Sequence, residues 1–499
     1  MAGRPYFLGI DLGTGSVRVA LFDGGGTLVG VASRDIATQI TAPAMAEQSP
    51  ADWMEGIVGA TRDCVSGSGV SPENVVALSV AATSSTVVFA GGDRMLRLAI
   101  LWMDTRAEAE AREISAFGHQ VLGICGGTDS PEWMVPKALW VKRHEAPVYN
   151  TATRIGEALD WINYNLTGQW VGSLNTAICK WNYSPGAGFS TEFLRLFDLE
   201  DVIGKWPSKF LPIGSVIGFL KEDAANRIGL TDKTLVVQGG VDAYLGMLGS
   251  GVVTEGDVAL ILGTSSVFLA PLSHDKPMEG VWGPYPGILP HGFLVAEGGQ
   301  ISSGAVLKWW NDQFFPGSDQ SELLRETAAI PPGARGLLAL DFFQGNRTPY
   351  KDPLACGMIS GLTLSHTKAD VFKALMESTA LGARLVLSRL CGREKTNRLI
   401  VSGGGTRSRE WVQVHADVLQ AQLTLPEYAE YGTMLGAAMS AATGYGLHKS
   451  LVDAVAGMHR IKGMTYPNSD NKDCYDRLYQ IYMNAYVRNV EIMHSLRSR

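Results

Sequence analysis

Apolar residues in this chain come in short runs that end at glycine- and hydroxyl-rich turns, which is the pattern of buried strands rather than of long amphipathic helices. Tyr6-Phe7-Leu8-Gly9-Ile10 reads as a strand, Asp11-Leu12-Gly13-Thr14-Gly15-Ser16 as a turn, and Val17 to Phe22 as the returning strand. Val75 to Ala82 reads as a buried strand ending in Thr83-Ser84-Ser85-Thr86, before Val87-Val88-Phe89 resumes. Leu235-Val236-Val237 is a strand that breaks at Gly239-Gly240 and leads to a single acid, Asp242. Val258 to Leu262, the turn Gly263-Thr264-Ser265-Ser266 and Val267 to Ala270 repeat the opening hairpin about half the chain later. Ile400-Val401-Ser402 again runs into glycines, Gly403-Gly404-Gly405.

Between these strands lie helical patterns. One starts at Ser49-Pro50, with the serine as cap and the proline in the first turn. Others run through Pro136, from Ala158 to a terminating Gly168, from Ser302 through Gly304 to Trp310, from Lys368 to Ser388 and from Arg409 to Leu419. Gly432 to Ala442 is rich in small residues and reads as a tightly packed helix. Asn175 to Tyr183 reads as a polar–aromatic loop around one cation, Lys180, and Phe342 to Pro349 as another loop. Asp104 reads as the N-cap of the acid-rich helix that follows it.

The two glycine–hydroxyl turns suggest two related halves gripping one nucleotide, since backbone N–H groups and hydroxyls in such a turn suit phosphate oxygens. The turns are expected to face each other across a cleft. A length of 499 residues fits two large domains, and the turn Thr254–Asp257 is the best boundary, giving residues 1–254 and 255–499. The net charge of -7, without a long basic run, argues against nucleic acid as a partner. No apolar run is long enough for a bilayer, and the six cysteines are scattered without a CxxC pair, so a reducing, cytoplasmic setting is expected.

Several of these motifs, in this order, resemble the FGGY carbohydrate kinases, which share an ATPase core with actin, hexokinase and heat-shock chaperone ATPases. Asp11 to Ser16 and Gly263 to Ser266 resemble the family's two phosphate loops. Pro136-Lys137-Ala138-Leu139-Trp140 resembles its first signature, and Gly357 to Leu362 with Asp370 to Glu377 resembles the second. Ser402-Gly403-Gly404-Gly405 resembles its adenosine-site turn. The resemblance implies an α/β fold of two ribonuclease-H-like domains with a cleft between them, working with ATP and Mg²⁺. Cys179-Lys180-Trp181, Gly280 to Tyr285, Glu297-Gly298-Gly299-Gln300 and Gly345 to Pro349 are similar to the ribulokinase-like branch. Glycerol kinases carry an Arg-Glu pair where this chain has Thr83-Ser84.

Carried over residue by residue, the resemblance implies Asp242 as catalytic base and Asp11 as the Mg²⁺ ligand, through water. Thr14, Gly15, Ser16, Arg18, Gly263 and Thr264 would hold the phosphates, and Gly304, Lys308, Gly404 and Ser408 would border the nucleotide. Lys180 and Glu297 would bind sugar oxygens together with Asp242, with Thr83, Ser84 and Glu132 lining the pocket and Trp102 and Trp133 stacking on it. Plainer readings stand beside these: Asp242 as a helix N-cap, Asp11 as a hairpin acid, Lys180 as a solvated lysine, the tryptophans as core. There is no P-loop motif and no paired-histidine metal motif.

The implied activity is ATP-dependent phosphorylation of a terminal hydroxyl of a pentulose, ribulose first. Ribitol, erythritol, xylulose and glycerol are the alternative substrates. The partners are then a small sugar or polyol and ATP, with no nucleic acid and no membrane, and a homodimer is left open. The non-enzyme alternative is an actin-like, nucleotide-driven conformational protein, which would not need a sugar-side acid and lysine.

Overall fold

The computed structural model describes residues 4–42, 44–288, 293–317, 320–391 and 396–497. Two mixed sheets organise it. The first has six strands in the order Val216–Phe219, Leu235–Val241, Val75–Ala82, Tyr6–Leu12, Ser16–Asp23, Leu28–Asp35. The second has seven, in the order Trp282–Tyr285, Leu294–Gln300, Ser266–Leu272, Asp257–Leu262, Arg398–Ser402, Leu423–Pro426, Ile461–Thr465.

The same five-strand core sits in both sheets. Each has a central strand paired antiparallel to the hairpin partner that follows it, Tyr6–Leu12 with Ser16–Asp23 and Asp257–Leu262 with Ser266–Leu272. Beyond each partner lies a further antiparallel strand, and on the other side of each central strand lie two parallel ones. The central strands are buried along most of their length, as continuous apolar runs predict.

Two helices join the halves. Asp242–Gly249 and Gly432–Tyr445 cross so closely that a Cβ on Gly249 would lie 1.8 Å from the carbonyl oxygen of Gly432, and one on Gly436 1.9 Å from that of Leu245. Only glycine permits that backbone approach. Helix Gly432–Tyr445 follows the second sheet's strands in sequence yet packs on the first sheet, where a Cβ on Gly9 would meet the carbonyl oxygen of Met434 at 1.9 Å. One apolar core therefore runs from Phe7 and Val237 through Met434 and Leu435 to Ala259 and Ile400. Each fully buried Leu or Met in it contributes roughly 1.5–3 kcal/mol.

Three local expectations change. The strand does not break at Gly239-Gly240; it continues to Val241, with its pairing irregular between Val237 and Gly240. Asn175 to Tyr183 is not a loop: Leu174–Lys180 is a helix capped by Ser173, whose side chain accepts from the Thr176 N–H. Asp104 is not a cap. The following helix is Glu108–Ala116, and the buried Asp104 carboxylate accepts from the Ala46 N–H at 2.7 Å and from Arg106. At Asp104 a partner 58 residues away takes the place of a helix cap. Among the described residues, no helix is long and apolar enough to cross a membrane.

Candidate active site

The two hairpin turns open onto one cavity of about 1290 Å³, lined by Gly13 from the first and Gly263, Thr264 and Ser265 from the second. Each turn closes on itself: the Gly13 N–H donates to Ser16 O and the Gly263 N–H to Ser265 O, both at 3.0 Å. Asp11, at the end of its strand, faces its cross-strand partner Arg18, and the two form an ion pair. Both line the cavity. Burial raises the Asp11 carboxyl above its ordinary range, and Arg18 opposes the rise.

Asp242 lines the same cavity as the first residue of helix Asp242–Gly249. The N-cap is Val241, and no side chain caps that helix. Asp242 Oδ1 accepts from the adjacent Ala243 N–H at 2.7 Å, and Oδ2 has no partner among the described residues. Burial, then the negative charge of Asp11, pushes this carboxyl up to about 7. A carboxylate so tuned is a proton acceptor working near neutral pH.

The opposite wall is built from glycine. Helix Gly304–Phe314 starts against the second turn, with the Gly304 N–H donating to Gly263 O at 2.9 Å and the Ala305 N–H to Thr264 O at 3.0 Å. A Cβ on Gly304 would come within 2.6 Å of Gly263 O. A Cβ on Gly404, by contrast, meets nothing within 4 Å, so this glycine leaves room at the cavity wall and not for the chain. Its neighbours Gly403 and Gly405 are the ones crowded by Leu262 and Trp411. Ser408 lines the cavity, but its hydroxyl accepts from the Trp411 N–H at 3.1 Å as the cap of helix Arg409–Leu419. Lys308 is exposed and pairs with Asp312 one helical turn on.

Thr14, Gly15 and Ser16 are not among the residues that line this cavity. Thr14 Oγ1 accepts instead from the Trp102 indole at 2.9 Å, and Thr14 O accepts from Gln48 Nε2 at 2.6 Å. The first turn thus presents its glycine, its strand-end acid and Arg18 to the cavity, while its threonine faces Trp102.

A second polar cluster joins the halves beside Asp242. Lys180 and Glu297, 5% and 7% exposed, approach to 3.5 Å. The Lys180 ammonium lies 4.4 Å from the Trp282 ring centre and 5.4 Å from that of Trp133. Lys180 is therefore a desolvated cation between aromatic faces and not a solvated lysine. Glu297 Oε2 accepts from the Tyr244 hydroxyl at 3.0 Å. Glu132 Oε2 lies 3.8 Å from Arg347, whose guanidinium stands 5.0 Å from the Trp282 ring centre. Thr83 Oγ1 and Thr86 Oγ1 share a hydrogen bond at 3.1 Å in their turn, and the partly buried Ser84 side chain has no partner among the described residues.

Sequence reasoning passed over Tyr244 and Arg347. Each stood within a segment already singled out, Tyr244 two residues after Asp242 and Arg347 in the Gly345–Pro349 loop. Only the fold shows which side chain of those segments reaches the cluster.

Duplicated sheets, two turns over one cavity, a tuned acid beside a second acid and a polar cluster between the halves are the features of a sugar kinase of the actin–hexokinase type. The chain belongs to the FGGY family of carbohydrate kinases. Its residues 6–249 match the family's N-terminal domain and residues 258–445 its C-terminal domain. It is similar to a xylulose kinase of Bacillus subtilis, 29% identical with 99% of both chains covered. It is also similar to a ribulokinase of Geobacillus thermodenitrificans, 31% identical with 96% of this chain and 94% of that one covered. The solved structure of xylulose kinase from Rhodospirillum rubrum superposes with a TM-score of 0.84 at 27% identity, over 98% of this chain and 100% of that one. The protein is accordingly a phosphotransferase with an alcohol group as acceptor.

Proposed function

We propose that this chain transfers the γ-phosphoryl group of ATP to a terminal hydroxyl of a pentulose, with ribulose the preferred substrate. The observation that carries the substrate reading is the buried Lys180–Glu297 pair with Tyr244. An ammonium donates to a carbonyl oxygen and a carboxylate accepts from hydroxyls, which is the complement of a keto sugar. Thr83-Ser84, in place of an Arg-Glu pair, speaks against glycerol.

In the reading we favour, the sugar lies by Lys180 and Glu297 with its terminal hydroxyl toward Asp242, which accepts the proton as the oxygen attacks phosphorus. The second turn offers the Thr264 and Ser265 backbone N–H groups to the phosphates, since those of Gly263, Gly304 and Ala305 already donate within the chain, and Gly404 admits the nucleoside. Arg18 keeps positive charge beside them. Asp11 suits Mg²⁺ held through water, since Mg²⁺ takes one or two protein carboxylates and completes its shell with water and phosphate oxygens. When bound, Mg²⁺ would neutralise the charge on the phosphates. Cys64, Cys125, Cys179, Cys356 and Cys474 are free thiols, which fits a reducing, cytoplasmic setting.

A coupled ADP-release assay across both ribulose enantiomers, xylulose, ribitol, erythritol and glycerol tests the proposal. Ribulose is expected to give the highest kcat/KM, and Lys180→Met to erode that preference more than it weakens ATP. A polyol that outperforms every ketopentose would end the ribulose reading, and ADP release indifferent to sugar would favour a nucleotide-driven conformational protein.

A further inference from the structure

The turn that carries Thr83 and Ser84 is held in an unusual backbone conformation by two buried charges. Its third residue, Ser85, has φ 65°, a left-handed value that costs a residue with a Cβ and persists only under outside restraint. Glu157 Oε2 accepts from the Ser85 N–H at 2.6 Å, and Lys137 Nζ donates to the Ser85 carbonyl at 2.8 Å. A carboxylate and an ammonium thus grip the two ends of one residue.

Each charge also holds a second segment of the sugar side. Lys137 Nζ donates to Leu101 O at 2.6 Å, one residue before Trp102, whose indole meets Thr14 Oγ1. Glu157 Oε1 accepts from the Trp181 indole at 2.6 Å, one residue after Lys180. Both side chains are fully enclosed, Lys137 at 0% and Glu157 at 1% exposure. Their hydrogen bonds go to backbone and indole and not to each other. Burial drives both toward neutrality, Lys137 down to about 7 and Glu157 up to about 8, so keeping them here costs stability. A structural turn needs no such pair.

We propose that Lys137 and Glu157 are positioning residues for sugar recognition: they lock Ser85 left-handed and bring Thr83–Ser84, Trp102 and Lys180 into one fixed arrangement that discriminates between sugars. The proposal rests on the sugar-kinase reading above. It requires that loosening the clamp changes the choice among sugars while the nucleotide wall around Gly304 and Gly404, built from the other half, is unaffected.

The test uses Glu157→Gln and Lys137→Met in the full chain, with the sugar that the unmodified enzyme turns over fastest and its nearest epimer. Glutamine keeps the shape but cannot accept from both N–H groups at once, so one buried donor is stranded. Sugar kcat/KM is expected to fall by about tenfold to a hundredfold. The ratio between the two epimers narrows, and the KM for ATP stays within about twofold. Adding Ser85→Gly to Glu157→Gln is expected to restore part of the epimer ratio, because glycine takes a positive φ without strain. A merely structural glutamate would give no such rescue.

Equal losses toward sugar and ATP, an unchanged epimer ratio, or no recovery with Ser85→Gly would each overturn the clamp. If Glu157→Gln does not fold, Lys137→Met carries the test alone, since methionine keeps the buried stem and removes only the donors to Ser85 and Leu101. An unmodified chain that turns over no sugar would sink the kinase substrate reading and the clamp together. Turnover with unaltered selectivity in the variants would sink the clamp alone.

Discussion

The two hairpins hold equivalent places in sheets of the same strand order, and they carry opposite chemistry. One step back from the first turn, the register sets Asp11 opposite Arg18. One step back from the second, it sets Ile261 opposite Val267. All four line the same cavity. The shared topology therefore repeats a shape, two glycine turns aimed at one space, without repeating charge. Burying a second acid–base pair would cost several kcal/mol per ion with no phosphate or hydroxyl to serve. In the proposed function, the charged half holds the acids that would handle the proton and the metal, and the apolar, glycine-rich half shapes the nucleotide wall.

That contrast breaks most severely at Asp242, on the charged side. Asp242→Asn keeps the shape and cannot accept a proton, so turnover should fall by roughly 10²–10⁴-fold while sugar and ATP binding change little. Near-normal turnover in single-turnover and steady-state assays would remove Asp242 from the role. Making the first hairpin resemble the second is the next test. Asp11→Asn should raise the Mg²⁺ concentration for half-maximal activity by roughly 10- to 100-fold, on the scale of losses seen when metal sites lose supporting groups. An unchanged Mg²⁺ titration would place the metal elsewhere.

The pH dependence sharpens the comparison further. Burial and the charge of Asp11 raise the Asp242 carboxyl to about 7, and only its ionised form is a base. Activity should therefore be lost as pH falls through about 7, with kcat/KM dropping about tenfold per unit below it. For stability the sign is opposite. The folded state prefers the protonated acid, so its ionisation weakens the fold progressively from the ordinary carboxylate range up to about 7 and no further above it. Asp242→Asn should therefore melt higher than the unmodified protein at pH 8, with the gap closing in acid. A pH–rate profile flat between 6 and 8, or equal melting at pH 8, would contradict this assignment.

The smallest expected effect lies on the glycine side. A methyl on Gly404 meets no chain atom but intrudes on the cavity, so Gly404→Ala should keep its melting temperature and raise the KM for ATP by about tenfold. Gly304→Ala, with Gly263 O only 2.6 Å away, should lose thermal stability as well. If both variants behave alike, the distinction between room left for a ligand and room needed by the backbone fails.

What was legible in the sequence was local. Strand, glycine turn, strand is written in consecutive residues, and so are the cap at Ser49 and the left-handed stop at Gly168. The acids Asp11 and Asp242 stand beside their own turns, and it was the family resemblance, beyond the turns themselves, that singled them out together with Gly304 and Gly404. Lys180 was chosen too, but its surroundings were not readable, because its helix is only seven residues long and its partner Glu297 is 117 residues away. The same holds for Glu157 and Lys137, whose partner Ser85 lies 72 and 52 residues distant. A contact with a backbone N–H or carbonyl leaves no side-chain pattern to recognise. The sequence by itself determined the duplicated scaffold, since hydrophobic period and turn chemistry act over a few residues. Tertiary structure alone decided which polar groups are desolvated together, because burial and pairing across the chain depend on where the packed elements come to lie.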